Sequence, residues 1–306
     1  MVTGRYAPSP SGYLHIGNVS AALMAWLSAK SRGGEIVLRV EDLDPSRSRA
    51  EYAEAIMDDL RWLGLDWDRR AQDQSKRGAA YAAALERLET YPCYCSRDEL
   101  HAASAPHGTD GRVVYSGKCR GLTDAQRREK TKAPCLRAAV PDREIAFVDG
   151  VQGPYSLSLR RDWGDFIVRR ADGVTAYQVA VVVDDAENGV TEVVRGRDLL
   201  SSTPVQIWLY GALGLKAPEF YHIPMLLAPD GRRLSKRDGD CYVRSLRDRW
   251  PPERIIGLIA WLYGLIDRRE DVSARELATA FSWDRVRRED IRLDWTETLQ
   301  EVRSKR

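Results

Sequence analysis

Two segments more than 200 residues apart carry residue types suited to holding a polyphosphate. The first, APSPSGYLHIGN at 7–18, leads through a Pro/Ser/Gly turn into a helix N-terminus. Backbone N–H groups there approach an anion closely, and the helix dipole favours negative charge. His15 and Asn18, three apart with Gly17 between them, can face one phosphate; a structural turn with a surface histidine is the alternative. The second segment, Arg233-Leu234-Ser235-Lys236-Arg237, lies in a Gly/Asp-rich loop after a strand-like run. A loop presenting Ser235 and Lys236 can close over a triphosphate and neutralise charge as pyrophosphate departs, although a basic loop also reads as a solvated turn. Their pairing in this order favours the nucleotide reading of both. A third constellation is Cys93-x-Cys95 followed by Tyr115 and Cys119. Three thiolates and one further ligand suit a tetrahedral structural Zn²⁺, whereas five cysteines in all make poor disulfide arithmetic. Tyr115 is the expected fourth ligand, with His101 and His107 as competitors and free loop cysteines as the alternative.

Positioning such groups takes a sizeable core, and 306 residues at 43% hydrophobic and 30% charged content provide one. A net charge of +2 excludes a strongly basic surface field, so any RNA contact must come from local patches. The chain does not open on an apolar signal core. Its longest apolar run, about Ile255 to Ile266, is too short to span a bilayer, so a cytoplasmic protein without a membrane partner, and a monomer, is expected. Gly4 to Ala7 reads as a strand, EIVLRVED as a buried strand ending in acids, and 19–30, 49–63 and 76–88 as helices. This alternation predicts a parallel, Rossmann-like α/β domain whose ligands bind beyond the carboxyl ends of its strands. Between about Tyr91 and Val140 the pattern breaks into short basic pieces around the cysteines, which reads as an inserted subdomain. It resumes with DFIVRR, TAYQVAVVVDD, TEVVRGRDLL, a helix at 204–213 and FYHIPMLL. The expected division is an α/β domain split into 1–90 and 141–240, an insert at 91–140 and a helical module at 241–306, with helices at 251–265 and 274–281.

HIGN resembles the HIGH signature, and RLSKR the KMSKS signature, of class I aminoacyl-tRNA synthetases. RYAPSPSGYLHIGN, VLRVEDLDPSRS, TAYQVAVVVDD, VVRGRDLLSSTP and LSKRDG are each similar to the glutamyl-tRNA synthetase pattern, in the same order across residues 4–240. The resemblance implies a class I catalytic domain with an inserted zinc-bearing, acceptor-binding-type subdomain and a small C-terminal helical module. It implies ATP with Mg²⁺ and L-glutamate as substrates. It places the amino acid on Arg5, Tyr6, Ala7, Pro8, Ser9, Glu41, Tyr177 and Arg195, and ATP on His15, Gly17, Asn18, Ser235 and Lys236. Glutamate needs cations for its carboxylates and an anion for its ammonium, and the two arginines and Glu41 supply both signs. The glutamate α-carboxylate would attack the α-phosphate of ATP without a protein nucleophile, so catalysis is positioning and charge stabilisation. His15 and Asn18 would serve the phosphates in the transition state and Lys236 the leaving pyrophosphate. A similar insertion with a CxC…YxxxC pattern in one branch of the family supports one structural zinc.

About 65 residues follow LSKRDG, enough for a small helical module and not for an anticodon-binding domain. Ser11, where the larger enzymes usually have Thr, and Val181, where they usually have Asn, match a short branch of the family. The acceptor of that branch is queuosine at the wobble position of tRNA(Asp). Basic residues Arg97, Lys118 and Arg120 and the C-terminal helices would then grip the anticodon stem through its phosphates. Two departures from the signatures stand out: Arg233 for Lys keeps the charge, and Asn18 for His keeps a donor but not a cation. The rival readings are a truncated glutamyl-tRNA synthetase charging a tRNA 3′ end and a catalytically inactive zinc-containing RNA-binding protein. Intact His15, Glu41, Arg195 and Lys236 argue against the latter.

Overall fold

Strand β1 (Thr3–Tyr6) is buried along its whole length and opens the computed structural model, which describes residues 1–96, 99, 114–232, 234, 241–295 and 298. It leads through the Pro/Ser/Gly turn into α1 (Ile16–Lys30). Buried side chains, from Ile16 and Val19 to Trp26 and Ala29, lie on every face of α1, which marks an interior helix rather than a surface amphipathic one. β2 (Glu35–Leu38) returns parallel to β1, with Thr3 opposite Glu35 and Tyr6 opposite Leu38. After α2 (Ala50–Trp62), β3 (Arg69–Arg70) extends the sheet in parallel, and α3 (Gly78–Glu86) follows.

The middle of the chain is antiparallel. It comprises β4 (Thr90–Cys93), α4 (Asp124–Arg128), β5 (Cys135–Ala138), β6 (Glu144–Asp149), β7 (Gly153–Ser158) and β8 (Ile167–Arg169). β5 lies between β4 and β8, and β6 pairs with β7 as a hairpin. The sheet that begins inside 91–140 is thus completed by a strand well beyond residue 140, because central β5 needs a partner on each side for its backbone groups.

Parallel topology then resumes. TAYQVAVVVDD forms α5 (Tyr177–Glu187) despite its β-branched run; Val179 to Val183 are all buried, and burial outweighs the few tenths of a kcal/mol per residue by which valine disfavours a helix. β9 (Glu192–Gly196) and β10 (Glu219–Ile223) run parallel on either side of the crossover through α6 (Thr203–Ala212). The Thr191 N–H donates to the Thr3 carbonyl at 2.9 Å, and the Thr3 N–H to the Thr191 hydroxyl at 2.9 Å, which sets β9 beside β1. β1 therefore has β2 on one flank and β9 on the other, and the crevice where such chain paths diverge is where α/β sheets bind ligands.

β11 (Leu226–Leu227), α7 (Val243–Arg247), α8 (Pro252–Leu262), α9 (Ala274–Ala278) and β12 (Ile291–Arg292) complete the described chain. Helices α8 and α9 end earlier than their periodicity predicts. β12 pairs in parallel with β11, so the C-terminal part is not purely helical. Ile255, Ile256, Leu258 and Ile259 of α8 share one hydrophobic core with α1, β1 and β2. Among the described residues no helix is long and apolar enough to cross a membrane.

Candidate active site

A cavity of about 880 Å³ opens beyond the carboxyl ends of β1, β2, β9 and β10. Arg5, Tyr6, Ala7, Pro8, Ser9, His15, Gly17, Asn18, Glu41, Tyr177 and Arg195, singled out from sequence, all border it. Ser235 and Lys236 lie outside the described residues, as do Arg97, His101, His107 and Arg233. Leu234, within the LSKRDG segment, and Tyr242, just beyond it, line the same cavity. The Ile16 N–H donates to the Cys241 carbonyl at 3.0 Å and the Val243 N–H to the Leu14 carbonyl at 2.9 Å. The chain that leaves the LSKRDG segment is therefore bonded directly to the HIGN segment.

His15 is the N-cap of α1, and the motif is self-bracing. The Gly17 N–H donates to His15 Nδ1 at 3.1 Å, and the His15 N–H to Asn18 Oδ1 at 3.3 Å. A Cβ at Gly17 would stand 3.0 Å from His15 Cε1, so a glycine there gives the ring its room. Because Nδ1 accepts, the imidazole proton resides on Nε2. Burial lowers the His15 pKa, which makes the residue a neutral donor rather than a cation. Asn18 braces the cap with its oxygen and keeps its amide hydrogens free for another acceptor.

Charges meet at the strand ends. Glu41 accepts from Arg39 Nη2 at 2.9 Å; burial pushes its pKa up, and the guanidinium opposes that push. Arg39 also bonds Asp185, and Arg5 donates to the Val194 carbonyl at 2.9 Å with Asp185 3.7 Å from its Nε. Arg195 differs. Its Nε–H donates to His222 Nε2 at 2.9 Å and its Nη2 to the Thr203 hydroxyl at 2.8 Å, both neutral partners, while its buried Nη1 has no hydrogen-bond partner. No carboxylate is hydrogen-bonded to Arg195, and Asp185 opposes its charge only at longer range. Tyr177, at the first turn of α5, keeps 37% of its surface exposed.

Arg39, Asp185, His222 and Asp149 are not legible as site residues in the sequence, because each stands in or beside a largely apolar element that carries other polar residues as well. Asp42 and Asp44 are occupied locally, by the Ser75 N–H and hydroxyl and by the Ser46 N–H and hydroxyl. Ser11 borders the cavity, whereas Val181 is buried in the core and does not. Lys118 is exposed and paired with Glu99, and Arg120 turns inward to the Val140 carbonyl and Asp165.

The thiols of Cys93, Cys95 and Cys119 lie within 4.8 Å of one another and could hold a metal ion. Cys95 and Cys119 sulfurs are 3.6 Å apart, close to the roughly 3.8 Å edge of a tetrahedron with zinc–sulfur bonds of about 2.3 Å. The Tyr115 hydroxyl stands 3.4 Å from the Cys93 sulfur and 3.9 Å from that of Cys95, at the open corner, and accepts from the Cys119 N–H at 2.8 Å. Cys135, distant in sequence, is the register partner of Cys93 and its thiol donates to the Cys93 carbonyl at 3.5 Å, while the Cys135 and Tyr115 neighbours push the Cys93 thiol pKa down.

A parallel α/β sheet with a self-capped HIGN turn and a charge-lined crevice beyond its strand ends has the form of an α/β enzyme that binds an anionic ligand. The chain belongs to the class I tRNA synthetases (E and Q), a family of ligases whose catalytic-domain model matches residues 1–296. It is 50% identical to a Glutamyl-Q tRNA(Asp) synthetase of Symbiobacterium thermophilum over 96% of both chains. It is 48% identical to the protein of that name in Nitratidesulfovibrio vulgaris over 87% of both. A glutamate tRNA ligase from Elizabethkingia meningosepticum, solved in complex with its amino acid, superposes with a TM-score of 0.81 at 30% identity; the match covers 95% of this chain and 66% of that one.

Proposed function

We propose that this enzyme uses ATP to activate L-glutamate and transfers the glutamyl group to queuosine at the wobble position of tRNA(Asp). The observation that carries the glutamate reading is the buried Arg195 guanidinium, with no carboxylate bonded to it, on the cavity that Glu41 also borders. A ligand carrying carboxylate and ammonium groups satisfies both. Arg5 and Tyr177 complete the amino-acid side, and the 6–9 segment supplies backbone along it. The α-carboxylate attacks the α-phosphate of Mg²⁺-bound ATP, giving glutamyl-adenylate and pyrophosphate. His15 Nε2–H and the Asn18 side-chain amide donate to the phosphates, and Ser235 and Lys236 serve the departing pyrophosphate. Ile223, Leu226 and Leu234 form an apolar wall suited to a purine.

The acceptor reading rests on the names of the two relatives above and on Ser11. Its test is transfer of labelled glutamate to tRNA(Asp) carrying queuosine and to the same transcript without it. Transfer is expected only to the modified RNA; efficient glutamylation of unmodified tRNA(Glu) would mean that the chain charges a 3′ end.

The cysteine cluster is read as one structural Zn²⁺ held by Cys93, Cys95 and Cys119 with Tyr115 fourth. Such an ion would cross-link β4 to the turn at Cys119 and take no part in the chemistry. Metal analysis of protein purified without chelator is expected to find one zinc per chain, and Cys93→Ser to lose it while keeping glutamate-dependent pyrophosphate exchange, since no amino-acid ligand lies there. Zinc-free protein would overturn the assignment.

A further inference from the structure

The Arg195 guanidinium is not held by a carboxylate, as Arg39 is, but by a buried chain that runs from the β6 end to β10. Asp149, His222 and Arg195 are 2%, 0% and 5% exposed. Asp149 Oδ2 lies 2.6 Å from His222 Nδ1, and His222 Nε2 accepts from Arg195 Nε–H at 2.9 Å. The N–H groups of Val151, Gln152 and His222 all converge on the other oxygen, Asp149 Oδ1, at 3.0, 2.9 and 3.1 Å. This leaves Oδ2 to receive the imidazole N–H. Burial pushes His222 down to about 4, so the ring is neutral, with its proton on Nδ1 and its lone pair on Nε2.

We propose that Asp149 and His222 are positioning residues for glutamate. They fix the tautomer that presents a lone pair to Arg195, hold its guanidinium at the cavity wall, and do so without the counter-charge that a carboxylate would bring. A directly bonded Asp or Glu would hold the arginine equally well but would neutralise the charge the substrate needs. The neutral imidazole orients it and leaves the charge for the ligand. This rests on the reading of Arg195 as a glutamate ligand.

The experiment measures KM for glutamate and for ATP by pyrophosphate exchange in Asp149→Asn, His222→Leu and His222→Gln. In Asp149→Asn the three backbone donors keep the amide oxygen in the Oδ1 place, so the amide nitrogen faces His222 Nδ1. The imidazole proton must then move to Nε2, where it opposes Arg195 Nε–H. A near-isosteric change is therefore expected to raise the glutamate KM at least tenfold while the ATP KM stays within twofold. His222→Leu should do the same, and His222→Gln, whose oxygen can take the Nε2 place, should recover most of the loss. Glutamate KM within twofold of wild type in both Asp149→Asn and His222→Leu, or a parallel rise in both KM values, overturns the proposal. Arg195→Met separates the two readings: if it raises the glutamate KM while the dyad variants do not, only the positioning role fails; if it too has no effect, the pocket itself is misassigned.

Discussion

Replacing Arg195 with methionine is expected to raise the KM for glutamate roughly 10²- to 10³-fold in pyrophosphate exchange, the scale for losing one side of a buried, charge-assisted pair. The ATP KM should change little, because the guanidinium lies at the end of β9 and not at the α1 N-terminus. Stability should move the other way from activity, or hardly at all. A buried charge without a bonded counter-ion is costly in the free enzyme, so a packed methionine removes a penalty. The Thr203 hydroxyl, 3.1 Å from His222 Nε2, can fill the bond that Arg195 vacates. A fall in melting temperature with an unchanged glutamate KM would make Arg195 a structural residue. A site that tolerates an unpaired cation until substrate arrives trades stability for binding.

His15→Asn should lower the rate of adenylate formation by about 10²-fold, the scale for removing one preorganised donor, while leaving the melting temperature near wild type. The two jobs of His15 separate in this variant. Asparagine is a good N-cap and can keep the Gly17 N–H satisfied, but it has no donor at the Nε2 distance. His15→Ala should lose both functions and about 1 kcal/mol of stability besides. Exchange at the wild-type rate in His15→Asn would make the histidine a helix cap only. Since burial lowers its pKa, the Nε2–H donor form should persist below pH 6.5, and activity should not follow a titration at that value.

The site was legible where function and local structure use the same residues. The Pro/Ser/Gly turn, His15, Gly17 and Asn18 announce a helix start because they cap one, and Glu41 and Arg195 stand at strand ends that the β-rich runs EIVLRVED and TEVVRG already mark. Chain-local signals served less well elsewhere. The valine run of α5 reads by composition as β-structure and is helical because it is buried among neighbours that composition does not name. The antiparallel sheet of β4, β5 and β8 was not visible around the cysteines, since its last strand comes some 30 residues after β5.

By itself the sequence determined the alternation of strand and helix, the capped turn that opens α1, the thiol cluster and the signs of charge brought to the pocket. Those follow from residues that interact within a few positions or from periodicity along one element. Only the tertiary structure decided which arginine is free for a ligand. Arg5, Arg39 and Arg195 are alike as letters, and their difference lies in partners 146 residues away for Arg39 to Asp185 and 27 for Arg195 to His222, which itself meets Asp149 across 73. Burial makes those partners decisive. In a low dielectric the charge of Arg39 is met within the fold by Glu41 and Asp185, whereas Arg195, held by a neutral imidazole and a hydroxyl, has no carboxylate bonded to it.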